Sequence, residues 1–256
     1  MMIKTAFKLL LLLSLTFSVN FSFAETKYID CKVKGCNSKW PVTAVNLIVN
    51  HKNDKNLLIW LPGGRGVRLS DVSMDGFEKY KNLLIVANPY IINASDNNGP
   101  VPQAYSSDQT ARILSIVNWA TSNGYKVWIG GISNGSVRTI GFLNKYPDMH
   151  SKIKGIILSA THVCNGSMKC VRLKKWNVNT LVIFHEGDQF FNTRSKIQKD
   201  LFKRIKKINS KNTLSIGMEV IRGPKSEKET NRGHHMYEYD RNEYHVNLNN
   251  FMRESN

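Results

Sequence analysis

The chain has 256 residues, of which 36 are lysine or arginine and 19 are aspartate or glutamate, so its formal net charge is +17. Its length fits one ordinary domain behind a short leader, and no repeat or low-complexity linker divides it. The basic residues accompany no recognised nucleic-acid-binding motif and no stacking pattern of aromatic residues, so no nucleic-acid partner is expected.

The first 24 residues are typical of a secretory signal peptide. Two lysines precede an apolar stretch, and small residues at positions 22 and 24 suit cleavage after Ala24. A membrane anchor is the alternative, but the apolar stretch is shorter than the roughly 20 residues of a spanning helix. We therefore expect a leader over 1–24, a domain over 25–256, and a secreted or periplasmic protein without a membrane anchor. Loss of two lysines with the leader lowers the formal charge from +17 to +15.

Four cysteines form an even set, which favours disulfides in a protein predicted to be exported. Three pairings are open, and short separations favour the two local ones, Cys31–Cys36 and Cys164–Cys170. Neither pair has the two-residue spacing of a typical zinc site, so no metal is expected.

The rest of the chain alternates between strand-like and helix-like segments. Strands are predicted at 42–49, 56–61, 82–87, 125–129, 153–159, 180–184 and 215–221, and helices at 108–122, 136–146, 194–208 and 241–252. This order predicts an α/β fold with a mostly parallel, twisted sheet, helices on both faces, and ligands beyond the carboxyl ends of the strands. The connections leave no room for a large lid domain.

The sequence Gly131-Ile132-Ser133-Asn134-Gly135 lies between a predicted strand and a predicted helix. A nucleophilic serine at such a tight turn needs glycines two residues before and after it, where side chains would collide. A glycine-rich turn with an incidental serine is the structural alternative. The strand and helix on either side favour Ser133 as a nucleophile.

A nucleophilic serine requires a base and a carboxylate that orients the base. Asp188 follows the predicted strand 180–184 and is the predicted acid, with Glu186 as the chemical alternative and a helix cap as the structural one. After the last predicted strand, one of His234 and His235 is the predicted base.

This order of serine, acid and histidine along alternating strands and helices resembles the α/β-hydrolase superfamily over nearly all of the predicted domain. The resemblance implies that the loop Gly63-Gly64-Arg65-Gly66 supplies one N–H of an oxyanion hole, from Gly64 or Arg65, and that Asn134 supplies the other. Many members place the catalytic histidine directly after a glycine, which selects His234. Others have His-x-aromatic before the last helix, which selects His235, and we slightly favour His235.

The expected function is that of a serine carboxylesterase acting through an acyl-enzyme on accessible small-molecule or polymer esters, without a cofactor. Peptidase and thioesterase activity would use the same residues. The alternative is a non-catalytic binding protein on this fold that recognises an anionic surface, favoured by the positive charge and by Pro62 where many esterases have a histidine. His162 and His185 also follow predicted strands and are candidates for substrate contact.

Overall fold

An eight-stranded sheet forms the centre of the fold. The computed structural model describes residues 23–38, 41–49, 55–61, 63, 83–87, 107–163, 171, 173–174, 176–188, 190–209, 214–222 and 241–255. The strands are β1 (Phe23–Asp30), β2 (Val42–Val49), β3 (Asn56–Leu61), β4 (Leu83–Ala87), β5 (Lys126–Ile132), β6 (Gly155–Ser159), β7 (Thr180–His185) and β8 (Ile216–Ile221). The described helices are α1 (Ser107–Ser122), α2 (Asn134–Lys145), α3 (Ser195–Ile208) and α4 (Arg241–Glu254), with a short 3-10 helix at Pro147–Ser151.

The strands lie in the order β1-β2-β4-β3-β5-β6-β7-β8. From β4 to β8 all neighbours are parallel, whereas β1 and β2 form an antiparallel pair at one edge and β2 is antiparallel to β4. The predicted mostly parallel sheet is therefore confirmed. Sequence reasoning missed β1. This strand begins inside the predicted leader, and it is stabilised by antiparallel pairing with β2 rather than by a local sequence pattern.

The central strands are apolar on both faces. Every side chain of β6 and β7 is buried, and in β5 only Lys126 is exposed. A parallel strand with helices on both sides has no solvent face, so its sequence reads as a continuous apolar run rather than an alternating one. This explains why the predictions for these strands agree with the structure within a few residues.

Helices cover both faces of the sheet. On one face, the ring of Phe251 in α4 and the indole of Trp128 both lie against Gly155, and the Trp128 indole N–H donates to Ser255 Oγ over 2.9 Å. Gly131 points to the opposite face, because successive residues of a strand alternate, and a Cβ there would meet the backbone of Gly135 in α2. The expected two-faced covering is thus observed.

The loop between β1 and β2 is fastened to α1. Cys31 and Cys36 form the predicted disulfide, and the Asn37 N–H donates to Asp108 Oδ1 over 2.7 Å. Asp108 also accepts from Arg112 over 2.9 Å, and the buried Arg112 donates to the Val42 carbonyl over 2.8 Å. The first turn of α1 therefore holds the antiparallel edge of the sheet. The second predicted pair, Cys164–Cys170, lies outside the described residues.

Candidate active site

The turn between β5 and α2 holds Ser133 in a backbone conformation that side chains rarely adopt. Its φ is 55° and its ψ is −118°, and α2 begins at the next residue. Such a conformation costs on the order of 1–3 kcal/mol, and it persists only where surrounding structure enforces it. Ser133 is almost fully buried, and its amide donates to the Ser159 carbonyl over 2.9 Å. The predicted strand-serine-helix elbow is present.

Two glycines make room for this turn. A Cβ on Gly131 would lie 2.5 Å from the Gly135 carbonyl carbon and 2.9 Å from the Leu61 oxygen, so a side chain does not fit there. Gly63, two residues beyond the end of β3, approaches Ser133 so closely that a Cβ would lie 3.2 Å from the serine Cβ. The start of the glycine loop therefore lies against the candidate nucleophile.

A second serine ties the elbow to the sheet. Ser136 in the first turn of α2 is fully buried, and its hydroxyl contacts the Gly131 carbonyl and both the N–H and carbonyl of Ser159, the latter two at 3.0 Å. The Ser159 hydroxyl in turn accepts a hydrogen bond from Tyr244 of α4 over 3.0 Å. Sequence reasoning missed this network. Ser136 is three residues after Ser133, at the helical spacing that places both side chains at the same end of α2.

Asp188 is buried in the turn after β7. Its Oδ1 accepts from the Phe190 N–H over 2.9 Å, and its own amide donates to the His185 carbonyl over 3.1 Å. Arg194, not Asp188, is the N-cap residue of α3, so the helix-cap interpretation does not describe this carboxylate. Glu186, the alternative acid, is exposed and pairs with Arg222 at 3.5 Å. Burial therefore favours Asp188 over Glu186 as the candidate acid.

The loop after β6 lies between the elbow and the Asp188 turn. The His162 amide donates to the Ser133 carbonyl over 3.3 Å, and its ring Nε2 lies 3.0 Å from Asn192 Nδ2. The Val163 amide also donates to the Asn192 carbonyl over 2.9 Å. His185, in contrast, is buried, and its Nδ1 accepts from the Gly187 amide, which gives it a role within the turn.

A buried glutamine of α3 holds the two loops together. Gln198 Oε1 accepts from the Thr161 amide, and its Nε2 donates to the carbonyls of Thr161 and Thr193, each over 2.9 Å. Sequence reasoning missed this residue as well. The available signal is position, because Gln198 is a polar residue on the helix face that contains the buried Leu201 and Ile205.

Two titratable groups buried near α2 have lowered pKa values. Burial lowers the pKa of Arg138 to about 9, so its guanidinium remains charged at neutral pH. Burial also lowers the pKa of His150, against a smaller opposing effect of a hydrogen bond to the Leu143 backbone. The His150 Nδ1 accepts from the Asn177 amide over 3.3 Å, which marks it as a structural histidine.

Structural comparison places this arrangement among known folds. A bacterial heroin esterase has a TM-score of 0.62 and 12% identity, over 98% of this chain and 90% of its own. The Pyrococcus furiosus esterase Pf2001 has a TM-score of 0.62 and 10% identity, over 91% and 93%. An α/β serine hydrolase without a lid, from Xanthomonas campestris, has a TM-score of 0.54 and 10% identity, over 92% and 96%. The chain has the α/β-hydrolase fold. Comparison of sequences matches it to no family model and to no curated protein.

Within the α/β-hydrolase fold, the strand order brings Ser133 and Asp188 to the same end of the sheet, where the carboxyl ends of its parallel strands lie. Ser133 follows β5 and Asp188 follows β7, and only β6 separates these parallel strands. Since neighbouring strands lie about 4.8 Å apart, the two strand ends are about 10 Å apart, a gap that an imidazole with its hydrogen bonds can bridge.

Of the predicted oxyanion-hole residues and the predicted histidine base, the structure describes only Asn134. Asn134 is the first residue of α2 and directly follows Ser133. Gly64 and Arg65 lie outside the described residues, one and two positions after Gly63. His234 and His235 also lie outside them, in the segment that joins β8 to α4.

Proposed function

We propose that this chain is an exported serine hydrolase that acts as a carboxylesterase on accessible ester bonds. The observation that carries the proposal is the backbone of Ser133, held at positive φ between Gly131 and Gly63 at the start of a helix. A turn with an incidental serine has no need of this strain. The esterases among the matched structures support the same chemistry.

In the proposed reaction, Ser133 Oγ attacks the ester carbonyl carbon while one of His234 and His235, preferably His235, takes its proton. The carbonyl oxygen becomes an oxyanion, which the amide of Asn134 and one from Gly64 or Arg65 would stabilise. Each such donor contributes roughly 3 kcal/mol to lowering the barrier. The dipole of α2 adds to this, because its positive end lies at the turn.

Collapse of the oxyanion expels the alcohol, which leaves with the proton from the histidine. Water then attacks the acyl-enzyme, giving up a proton to the same histidine, and the acid and free serine are released. Asp188 would hold the imidazole in the correct tautomer and stabilise its cation. Its contact with the Phe190 amide fixes the carboxylate for this role.

Export is proposed from the leader over 1–24 together with the Cys31–Cys36 disulfide. Disulfides persist mainly in oxidising compartments, which include the periplasm and the extracellular medium. Of the helices that the structure describes, none has the length and apolarity to cross a bilayer. The proposed substrate is a small-molecule or polymer ester, with no nucleic-acid partner.

A fluorophosphonate probe tests the proposal most directly. We expect it to label the folded wild type and the exposed-serine control Ser122→Ala, but not Ser133→Ala. In ester hydrolysis, Ser133→Ala should lower kcat by about a millionfold. Absence of labelling in the folded wild type would refute the enzyme assignment and favour the binding-protein alternative.

The choice between the two histidines needs a separate pair of variants. His235→Ala should abolish ester turnover, whereas His234→Ala should keep most of it. The reverse result would assign the base to His234. Full activity in both variants would show that neither residue is the base.

A further inference from the structure

The outward side of α3 carries a row of lysines. The inward side of the helix is buried, with Ile197, Leu201 and Ile205 packed in the core beside the hydrogen-bonded Gln198. The remaining surface holds six exposed cations and one exposed acid, Asp200. The cations are Lys196, Lys199, Lys203, Arg204, Lys206 and Lys207.

Helical geometry places five of these cations in one stripe. At 100° per residue, the lysines at 196, 199, 203, 206 and 207 fall within an arc of about 100°, centred opposite the buried residues. We call these five residues the lysine stripe. The distance along the axis from Lys196 to Lys207 is about 17 Å, at 1.5 Å per residue.

The lysine stripe leads toward the candidate site. Because α3 follows the carboxyl end of β7 and packs against β7 and β8, its first turn lies near the edge that holds Asp188 and Ser133. Lys196 is eight residues beyond Asp188, and Gln198 in the same turn bonds to the loops that flank the elbow. The first turn of α3, which carries Lys196 at one end of the stripe, therefore lies at the same end of the sheet as the candidate site.

We propose that the lysine stripe binds a linear acidic polysaccharide and guides its ester groups to Ser133. The inference rests on the proposed esterase function, which it extends by naming the substrate class. Ammonium groups are flexible point charges, suited to a polymer whose carboxylates recur along a line rather than to one bidentate ligand. A row of like charges also raises the local concentration of an anionic polymer at the site.

The chemistry of the stripe disfavours two other polyanions. A helix that inserts into a bilayer needs a free apolar face, but that face of α3 is buried in the protein core. Single-stranded nucleic acid is usually held by aromatic stacking as well as charge. No aromatic residue lies within the lysine stripe, and the neighbouring Phe202 is half-buried with the Lys206 ammonium over its ring.

Binding is tested with polygalacturonate, which carries no ester. The stripe variant replaces Lys196, Lys199, Lys203, Lys206 and Lys207 with glutamine. The control variant replaces five exposed lysines on other elements, Lys34, Lys145, Lys152, Lys154 and Lys174, so that net charge is matched. We expect the stripe variant to bind about tenfold more weakly at low salt and with a shallower salt dependence, and the control to change less than about twofold.

Several results would overturn the proposal. Equal loss in both folded variants, checked by circular dichroism, would show a general charge effect. Tighter stripe-dependent binding of anionic phosphatidylglycerol vesicles or single-stranded DNA than of polygalacturonate would assign the stripe to that partner instead.

Hydrolysis separates this inference from the proposed function. For acetylated polygalacturonate the stripe variant should raise KM about tenfold, with KM unchanged for p-nitrophenyl acetate and for neutral acetylated xylan. Equal KM on the acidic polymer would refute guidance while leaving the esterase assignment intact. If the wild type hydrolyses no ester, the esterase assignment fails, and the polygalacturonate binding assay still decides whether the stripe binds the polymer.

Discussion

The turns after β5 and β7 lie at the same edge of the sheet but hold their key residues by different means. Ser133 is held in a strained backbone conformation by close contacts that only glycine permits at Gly131. Asp188 is fixed by hydrogen bonds, from the Phe190 amide directly and from Gln198 and Asn192 through the surrounding loops. The Ser133 turn depends on the absence of a side chain at Gly131 as well as on the Ser136 hydroxyl, whereas the Asp188 turn is held by polar side chains. Substitutions should therefore affect them in different ways.

Among the variants that compare the two turns, the largest expected effect comes from removing the charge of Asp188 while keeping its shape. In Asp188→Asn, the side-chain oxygen can still accept from the Phe190 amide, so the turn should keep its geometry. We expect kcat for a soluble ester to fall about 10⁴-fold, because the histidine loses the carboxylate that orients it and stabilises its cation. The exposed Glu186→Gln is the control and should keep wild-type kcat; the opposite ranking would move the acid to Glu186.

A substitution at Gly131 in the elbow should lower the free energy of unfolding rather than remove a catalytic group. In Gly131→Ala the new methyl would lie 2.5 Å from the Gly135 carbonyl carbon, and the helix must shift to relieve the clash. We expect a loss of about 3 kcal/mol in the free energy of unfolding, measured by denaturant titration. Gly217→Ala in β8 is the control, because its nearest neighbour would be 3.4 Å away, and it should cost about 0.5 kcal/mol or less. Similar costs for both variants would contradict the close-packing account.

The hydrogen-bonded turn should respond to the loss of its glutamine. Gln198→Met keeps the length of the side chain but leaves the Thr161 amide and the carbonyls of Thr161 and Thr193 without their bonds. We expect a loss of about 2 kcal/mol in unfolding free energy. Hydrogen exchange should also increase at residues 160–163 and 186–194, but not at the elbow. Equal exchange increases around Ser133 would show that the two turns are not independent.

The smallest expected effect is on the pH dependence of the unfolding free energy, and it comes from His150, which lies in neither turn. Burial lowers the pKa of His150 below its ordinary value of 6.5, so the unfolded chain binds its proton more readily. This contribution to stability is complete above about pH 6.5 and is lost as the pH falls below it. His150→Gln should flatten the decline of unfolding free energy between about pH 7 and pH 5, relative to wild type. An unchanged slope would contradict a folded-state pKa shift at His150.

The sequence predicts those features that depend on local pattern. The parallel strands are continuous apolar runs, α1 has Asp108 in its first turn, and Gly131 and Gly135 flank the serine at the required spacing. The edge strand β1 and the Ser136–Ser159–Tyr244 network depend on pairing between distant segments, which no local pattern reports. Asp188 was predicted from its place after a strand, whereas Gln198 required knowledge of which helix face is buried. The roles of Ser133 and Asp188 stay predictions until the variants are measured.

The position of α4 has a consequence for the order of folding. Among the described elements α4 is the last in chain order, yet its Tyr244 bonds to Ser159, 85 residues earlier, and its Ser255 bonds to Trp128. Contacts between such distant segments form slowly, because a long loop must close before they are made. We therefore expect the elbow to gain its support from α4 late in folding, after the local contacts between β5 and α2.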